Sequence, residues 1–151
     1  MGNILHISEM FGLIFLVNNA LTKKTNQYLS RHGFSVVQWL LCAALSKQSG
    51  NSANLSQVAT QLCTSRQNIK QIAQELVIKG WLLIGKDPQD SRAVRLSLTP
   101  ECLAFWQEQD PANAEFLSEL FGVIGNDELK ATTTAMNRLY QHIIDSKGDK
   151  Q

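Results

Sequence analysis

Apolar residues recur at helical spacing from Ile7 to about Leu29, at Ile7, Phe11, Ile14, Val17, Leu21 and Tyr28, while Leu13, Phe15 and Leu16 fill the other side. A helix that is apolar nearly all round cannot face water on a monomer: it is central in a large core or shared between chains, and a short chain favours sharing. Gly33 supplies a stop for this helix, and Ser35 can cap a second one running to about Gln48, with Val36, Leu40, Leu41 and Ala44 as its buried stripe. Ser49 to Ala53 reads as a polar loop. Asn54 with Gln57, and Thr64 with Gln67, then have the spacing of two capping boxes, which predicts helices over Leu55–Leu62 and Ser65–Lys79 joined by a tight turn. A short helix, a tight turn and a longer helix is the helix-turn-helix pattern, with Gly80 as a left-handed stop.

The period then changes. Trp81 to Ile84 is an apolar strand candidate, and Val94, Leu96 and Leu98 alternate with Arg95, Ser97 and Thr99. Between them Asp87 to Arg92 is polar and turn-forming, so the segment reads as a hairpin placed as a wing. Thr99-Pro100-Glu101 opens a long helix with a cap, a proline at its first position and an early acid. Asp110-Pro111 is a point to kink or restart it, and a last helix spans about Asp127 to Ser146 with Leu129, Met136, Leu139, Tyr140 and Ile143 on one side. The fold class is mainly α with a small β component (α+β): a winged helix-turn-helix with long N- and C-terminal helices. The organisation expected is one domain over 1–151, with a winged helix-turn-helix lobe at 35–99 and helical segments at 1–34 and 100–151.

On the helix over Ser65–Lys79, Ile69, Ile72, Ala73 and Leu76 share one face, and Gln67, Lys70, Gln71 and Gln74 form the opposite stripe with Arg66 on its edge. Glutamine can pair bidentately with adenine, and Lys and Arg with guanine or phosphate, so the stripe has the chemistry of a major-groove reader. Arg92 at the wing tip suits a minor groove, where negative potential concentrates. The residues taken to meet DNA are Ser65, Arg66, Gln67, Asn68, Lys70, Gln71, Gln74, Asp90 and Arg92.

Charge sharpens this placement. The net charge of the chain is only +1, which removes binding by bulk charge. Residues 65–95, however, hold six basic and three acidic side chains, whereas Glu101 to Glu128 holds seven acids and no Lys or Arg. The acidic arm would be repelled by phosphate and is expected to point away from a duplex.

These residues together resemble the MarR family of winged-helix regulators, over Asn54-Leu-Ser-Gln-Val-Ala, Thr64-Ser-Arg-Gln-Asn-Ile-Lys, Leu76 to Trp81, and Asp87-Pro-Gln-Asp-Ser-Arg-Ala-Val-Arg-Leu-Ser-Leu-Thr99. The pair Asp90 and Arg92 carries the wing signature. The resemblance implies a homodimer formed through the first and last helices (the dimerisation segments 1–34 and 100–151), repression from a pseudo-palindromic operator on double-stranded DNA read by the 35–99 lobe, and release by a small-molecule effector or by oxidation. Tyr28, His32 and Trp39 are the residues that could line an effector cleft. Many members carry Gly where this chain has Cys102, and the peroxide-sensing members' cysteine in the first helix has no counterpart in residues 1–34.

Other chemistry finds little support. Cys42, Cys63 and Cys102 form no CxxC pair, which fits a reducing cytoplasm, and Cys63 beside the turn reads as a small buried hydrophobe. His6, His32 and His142 lack metal-site spacing, no nucleotide or hydrolase motif is found, and neither enzyme activity nor a cofactor is expected. Trp39, Trp81 and Trp106 read as core anchors. The apolar run Met10–Val17 is too short for a membrane span, no basic segment precedes it, and His6 spoils a myristoylation signal, so no membrane partner is expected. The alternative from another class is a winged-helix protein–protein interaction module that does not touch DNA. Such an interface would be expected to show aromatic anchors in place of the glutamine stripe.

Overall fold

The computed structural model describes residues 2–146. Residues 1 and 147–151, the ends of the two expected dimerisation segments, lie outside that range. The chain divides at Thr99/Pro100 into two compact units.

The first unit contains α1 (Gly2–Leu29), a 3-10 turn (Ser30–His32), α2 (Val36–Ser46), β1 (Ser52–Asn54), α3 (Leu55–Gln61), α4 (Arg66–Ile78), β2 (Leu82–Lys86) and β3 (Val94–Leu98). Its core is formed by Leu41 and Leu45 of α2, Val58 of α3, Ile69 and Leu76 of α4, Leu82 of β2 and Leu96 of β3, all fully buried. Ser35 caps α2 as expected: its hydroxyl accepts from the Gln38 N–H, and the Gln38 side chain accepts from the Ser35 N–H. The buried stripe of α2 keeps Leu41 and Ala44 of the expected four, with Val36 half-buried, and differs at Leu40. Leu41, Cys42, Ala44 and Leu45 are buried, whereas Leu40 and Trp39 are exposed, so Trp39 is not a core anchor. The α2 sequence is apolar on too many positions for periodicity to single out one face, and packing against α4 and β3 selects it.

The hairpin is antiparallel, pairing Leu82 with Leu98, Ile84 with Leu96 and Lys86 with Val94. The segment read as a polar loop contributes a third strand, because β1 pairs with β3 and sets Ala53 opposite Leu96. Three residues with one small apolar side chain show no alternation, and the pairing is imposed by β3. The Ser52 and Ser97 hydroxyls are hydrogen-bonded across that pair at 2.9 Å.

Three turns in this unit close in the same way. After α1, after α3 and after α4 the chain makes nested backbone bonds of the Schellman type: Phe34 N–H to Leu29 O, Thr64 N–H to Ala59 O, and Trp81 N–H to Leu76 O. The left-handed position is Gly33 (φ 73°) in the first, Gly80 (φ 78°) in the last, and Cys63 (φ 53°) in the second. Cys63 is exposed there, which corrects its reading as a buried hydrophobe.

α1 begins nearer the N-terminus than its apolar periodicity indicates, and it packs on the 3-10 turn and α2. Phe11 is 65% and Leu16 66% exposed, and the helix is exposed at nearly every position up to Ala20. By length and composition this helix could cross a membrane, with a mean hydropathy of 1.5 over its most apolar 18 residues. The run judged too short is thus part of a longer apolar element.

The second unit holds α5 (Pro100–Phe121), which continues through Pro111 without a break, and α6 (Asn126–Asp145). Glu128 accepts from the Gly125 N–H at 2.9 Å and so helps to start α6. Met136, Leu139 and Ile143 of α6 are exposed, and Leu129 and Tyr140 are half-buried.

Candidate nucleic-acid interface

α4 follows α3 through a turn whose geometry is set by short-range polar bonds. Ser65 has extended backbone (ψ 153°) and is the N-cap, its hydroxyl accepting from the Asn68 N–H at 3.0 Å. The Asn68 side-chain amide in turn donates to the Thr64 hydroxyl at 2.9 Å. This corrects the expected Thr64–Gln67 capping box, since Thr64 is already committed to closing α3 and the cap moves one residue on. A similar adjustment occurs at α3, where the Asn54 side-chain Oδ1 accepts from the Ser56 N–H at 2.8 Å, one residue short of a capping-box bond.

The consequence for α4 is a division of labour. Ser65 and Asn68 are engaged in the cap, while Gln67 is exposed and outside it. Ile69, Ile72, Ala73 and Leu76 are buried as expected, each large one contributing about 1.5–3 kcal/mol of apolar burial. Arg66, Gln67, Lys70, Gln71 and Gln74 are all exposed, so the amide-rich stripe faces solvent.

The wing is built by its carboxylates. Asp90 accepts from the Arg92 N–H at 3.0 Å, folding the tip so that Arg92 is exposed. Asp87 accepts from the Gln89 N–H at 2.9 Å and from the Arg95 guanidinium at 3.3 Å, and Arg95 also donates to the Ser52 carbonyl at 3.4 Å. The Gln89 N–H is the main cause that holds the Asp87 carboxyl below its ordinary value. Partial desolvation opposes it, and Arg95 and the Asn54 amide add to the lowering. The wing root is thereby tied to β1 and to the cap of α3.

These bonds sort the basic residues in a way that counting cannot. Arg95 spends its charge on Asp87, and Lys79, at the end of α4, donates to the Gly33 carbonyl and to the Gln38 side chain. Arg66, Lys70, Lys86 and Arg92 are exposed; Lys79 is exposed too, but its ammonium is hydrogen-bonded within the fold. Lys86 is a candidate the sequence reading did not single out. Its place as the last residue of β2, next to the wing tip, was the available signal.

No family model matches the chain. Among curated proteins it is 25% identical over 133 residues to the HTH-type transcriptional regulator PapX of Escherichia coli, covering 88% of this chain and 81% of that one. It is 26% identical over 112 residues to the transcriptional repressor MprA of Escherichia coli K12, covering 74% of this chain and 64% of that one. Among solved structures it is similar to a MarR family transcriptional regulator from Streptomyces coelicolor in complex with DNA. That match has a TM-score of 0.79 and 16% identity over 89% of this chain and 86% of the other. With its short α3, capped α4, three-stranded sheet and long terminal helices, the chain carries the winged helix-turn-helix fold of the MarR family.

Proposed function

We propose that this protein is a DNA-binding transcriptional regulator, a repressor, that binds a pseudo-palindromic operator as a homodimer in the cytoplasm. The observation that carries the reading is α4: one face is fully committed to the core, and the other presents Gln67, Lys70, Gln71 and Gln74 to solvent beside a wing ending in Arg92. Gln71 and Gln74 read base edges, Arg66, Lys70 and Lys86 meet phosphate, and Arg92 enters the minor groove. Ser65, Asn68 and Asp90 act by shaping the cap and the tip that present the others.

A second copy of this chain is the occupant proposed for the exposed apolar faces. α1 shows apolar side chains on all sides and α6 shows Met136, Leu139 and Ile143, and the MarR resemblance supports pairing through these helices. The two reading helices would then enter successive major grooves about 34–36 Å apart. Release by a small ligand belongs to the same proposal as an implication of the resemblance.

The test is selection of bound sequences from random duplex DNA, with the mass of the free protein measured in parallel by sedimentation. An enriched inverted repeat and a dimeric mass are expected. No enrichment at low salt would favour an interaction module, and co-flotation of the chain with lipid vesicles in place of dimerisation would assign α1 to a membrane.

A further inference from the structure

The apolar face of α4 fixes how deeply the helix is buried, but apolar contact has little direction, and something else must set its pitch. The candidate is a polar bridge at its C-terminal end. Gln38 of α2 is only 6% exposed and its side chain is used on both sides. Its amide nitrogen donates to Glu75 at 2.9 Å, and its oxygen accepts from the Ser35 N–H at 3.2 Å and from the Lys79 ammonium at 3.3 Å. Lys79 also donates to the Gly33 carbonyl, in the left-handed turn that ends the first helical segment, and lies 5.7 Å from the Phe34 ring. Glu75 lies in the last turn of α4 and Lys79, four residues on, is its C-cap, so one buried amide joins the end of the reading helix to the junction between α1 and α2.

We propose that Lys79 is a positioning residue that sets the pitch of the reading helix through Gln38 and Gly33, and is not a phosphate contact. This rests on the DNA-binding reading above. α4 is about 20 Å long, so a tilt of about 5° at the bridge moves the far end by about 1.7 Å. Such a shift exceeds what a bidentate hydrogen bond to a base edge tolerates. The bridge lies at the opposite end of α4 from the Ser65 cap, and the two together hold the helix at both ends.

The test compares Lys79→Met and Lys79→Arg with the wild-type chain on a duplex recovered by selection with the wild type. Lys79→Met is expected to weaken binding roughly tenfold with no change in the slope of log affinity against log salt. Lys79→Arg, whose guanidinium reaches the same acceptors, is expected to recover affinity to within about threefold. A slope that falls by about 0.9 for each protomer would make Lys79 a phosphate contact and overturn the proposal. Unchanged affinity would overturn it as well. Should the wild type select no duplex, the DNA-binding reading fails by itself, and amide hydrogen exchange judges the bridge. Lys79→Met must then speed exchange at residues 33–38 and 75–79, and equal exchange rates would remove the bridge.

Discussion

α1 and α4 are both helices rich in apolar residues, yet they end in opposite situations. α4 hides Ile69, Ile72, Ala73 and Leu76 within its own unit and shows solvent an amide and ammonium stripe. α1 shows Phe11, Phe15 and Leu16 to solvent along with most of its length. The difference lies in where the covering surface comes from. A helix with one apolar stripe can be satisfied by its own chain, whereas a helix that is apolar on all sides needs more neighbours than one short chain supplies. α4 is therefore a finished reading head, and α1 is half of an interface under the proposed function.

The largest effect that would break this contrast is in α4. Leu76→Ala should cost about 3 kcal/mol in urea unfolding, because it opens a cavity at a fully buried site. A loss below about 1 kcal/mol would mean that the face is not a core face. Phe11→Glu on α1 is next: it should raise the dimer dissociation constant about thirtyfold, roughly 2 kcal/mol, in analytical ultracentrifugation. An unchanged dimer would show that α1 is covered by something else.

Smaller effects sharpen the reading head itself. Arg92→Ala should lower operator affinity roughly tenfold, and Lys70→Met should reduce the salt slope by about one for each phosphate lost, both measured by titration at several salt concentrations. If neither changes, the exposed stripe and the wing are not the contact surface. The smallest effect concerns the turn entering α4. Cys63 holds φ 53°, a conformation that costs a side chain about 1 kcal/mol and glycine little, so Cys63→Gly should stabilise the protein by up to that amount in thermal unfolding. Destabilisation would mean that the thiol makes a contact outweighing the strain.

Legibility in the sequence followed the strength of local signals. The α4 core face, the Gly33 and Gly80 stops, the Ser35 cap and the β3 alternation were all readable, because each depends on residues within a few positions of one another. The buried face of α2 was not, since its apolar residues outnumber the positions that can be buried. β1 was hidden for a similar reason: its strand character comes from β3, more than 40 residues away. In the candidate site the exposed stripe was readable from the helical spacing of Gln67, Lys70, Gln71 and Gln74. The engagement of Ser65 and Asn68 in the cap, and of Lys79 and Arg95 within the protein, was not.

Local chemistry along the chain decided the helices, their turns and the β2–β3 hairpin, though not β1, and which face of α4 carries amides. Only the tertiary structure decided which charges remain for a partner. A sequence counts six basic residues between Ser65 and Arg95 as equals, but Arg95 is paired with Asp87 and Lys79 bonds Gly33 and Gln38. A charge bonded within the fold does little for a phosphate, and whether it is so bonded depends on groups brought near it from distant parts of the chain.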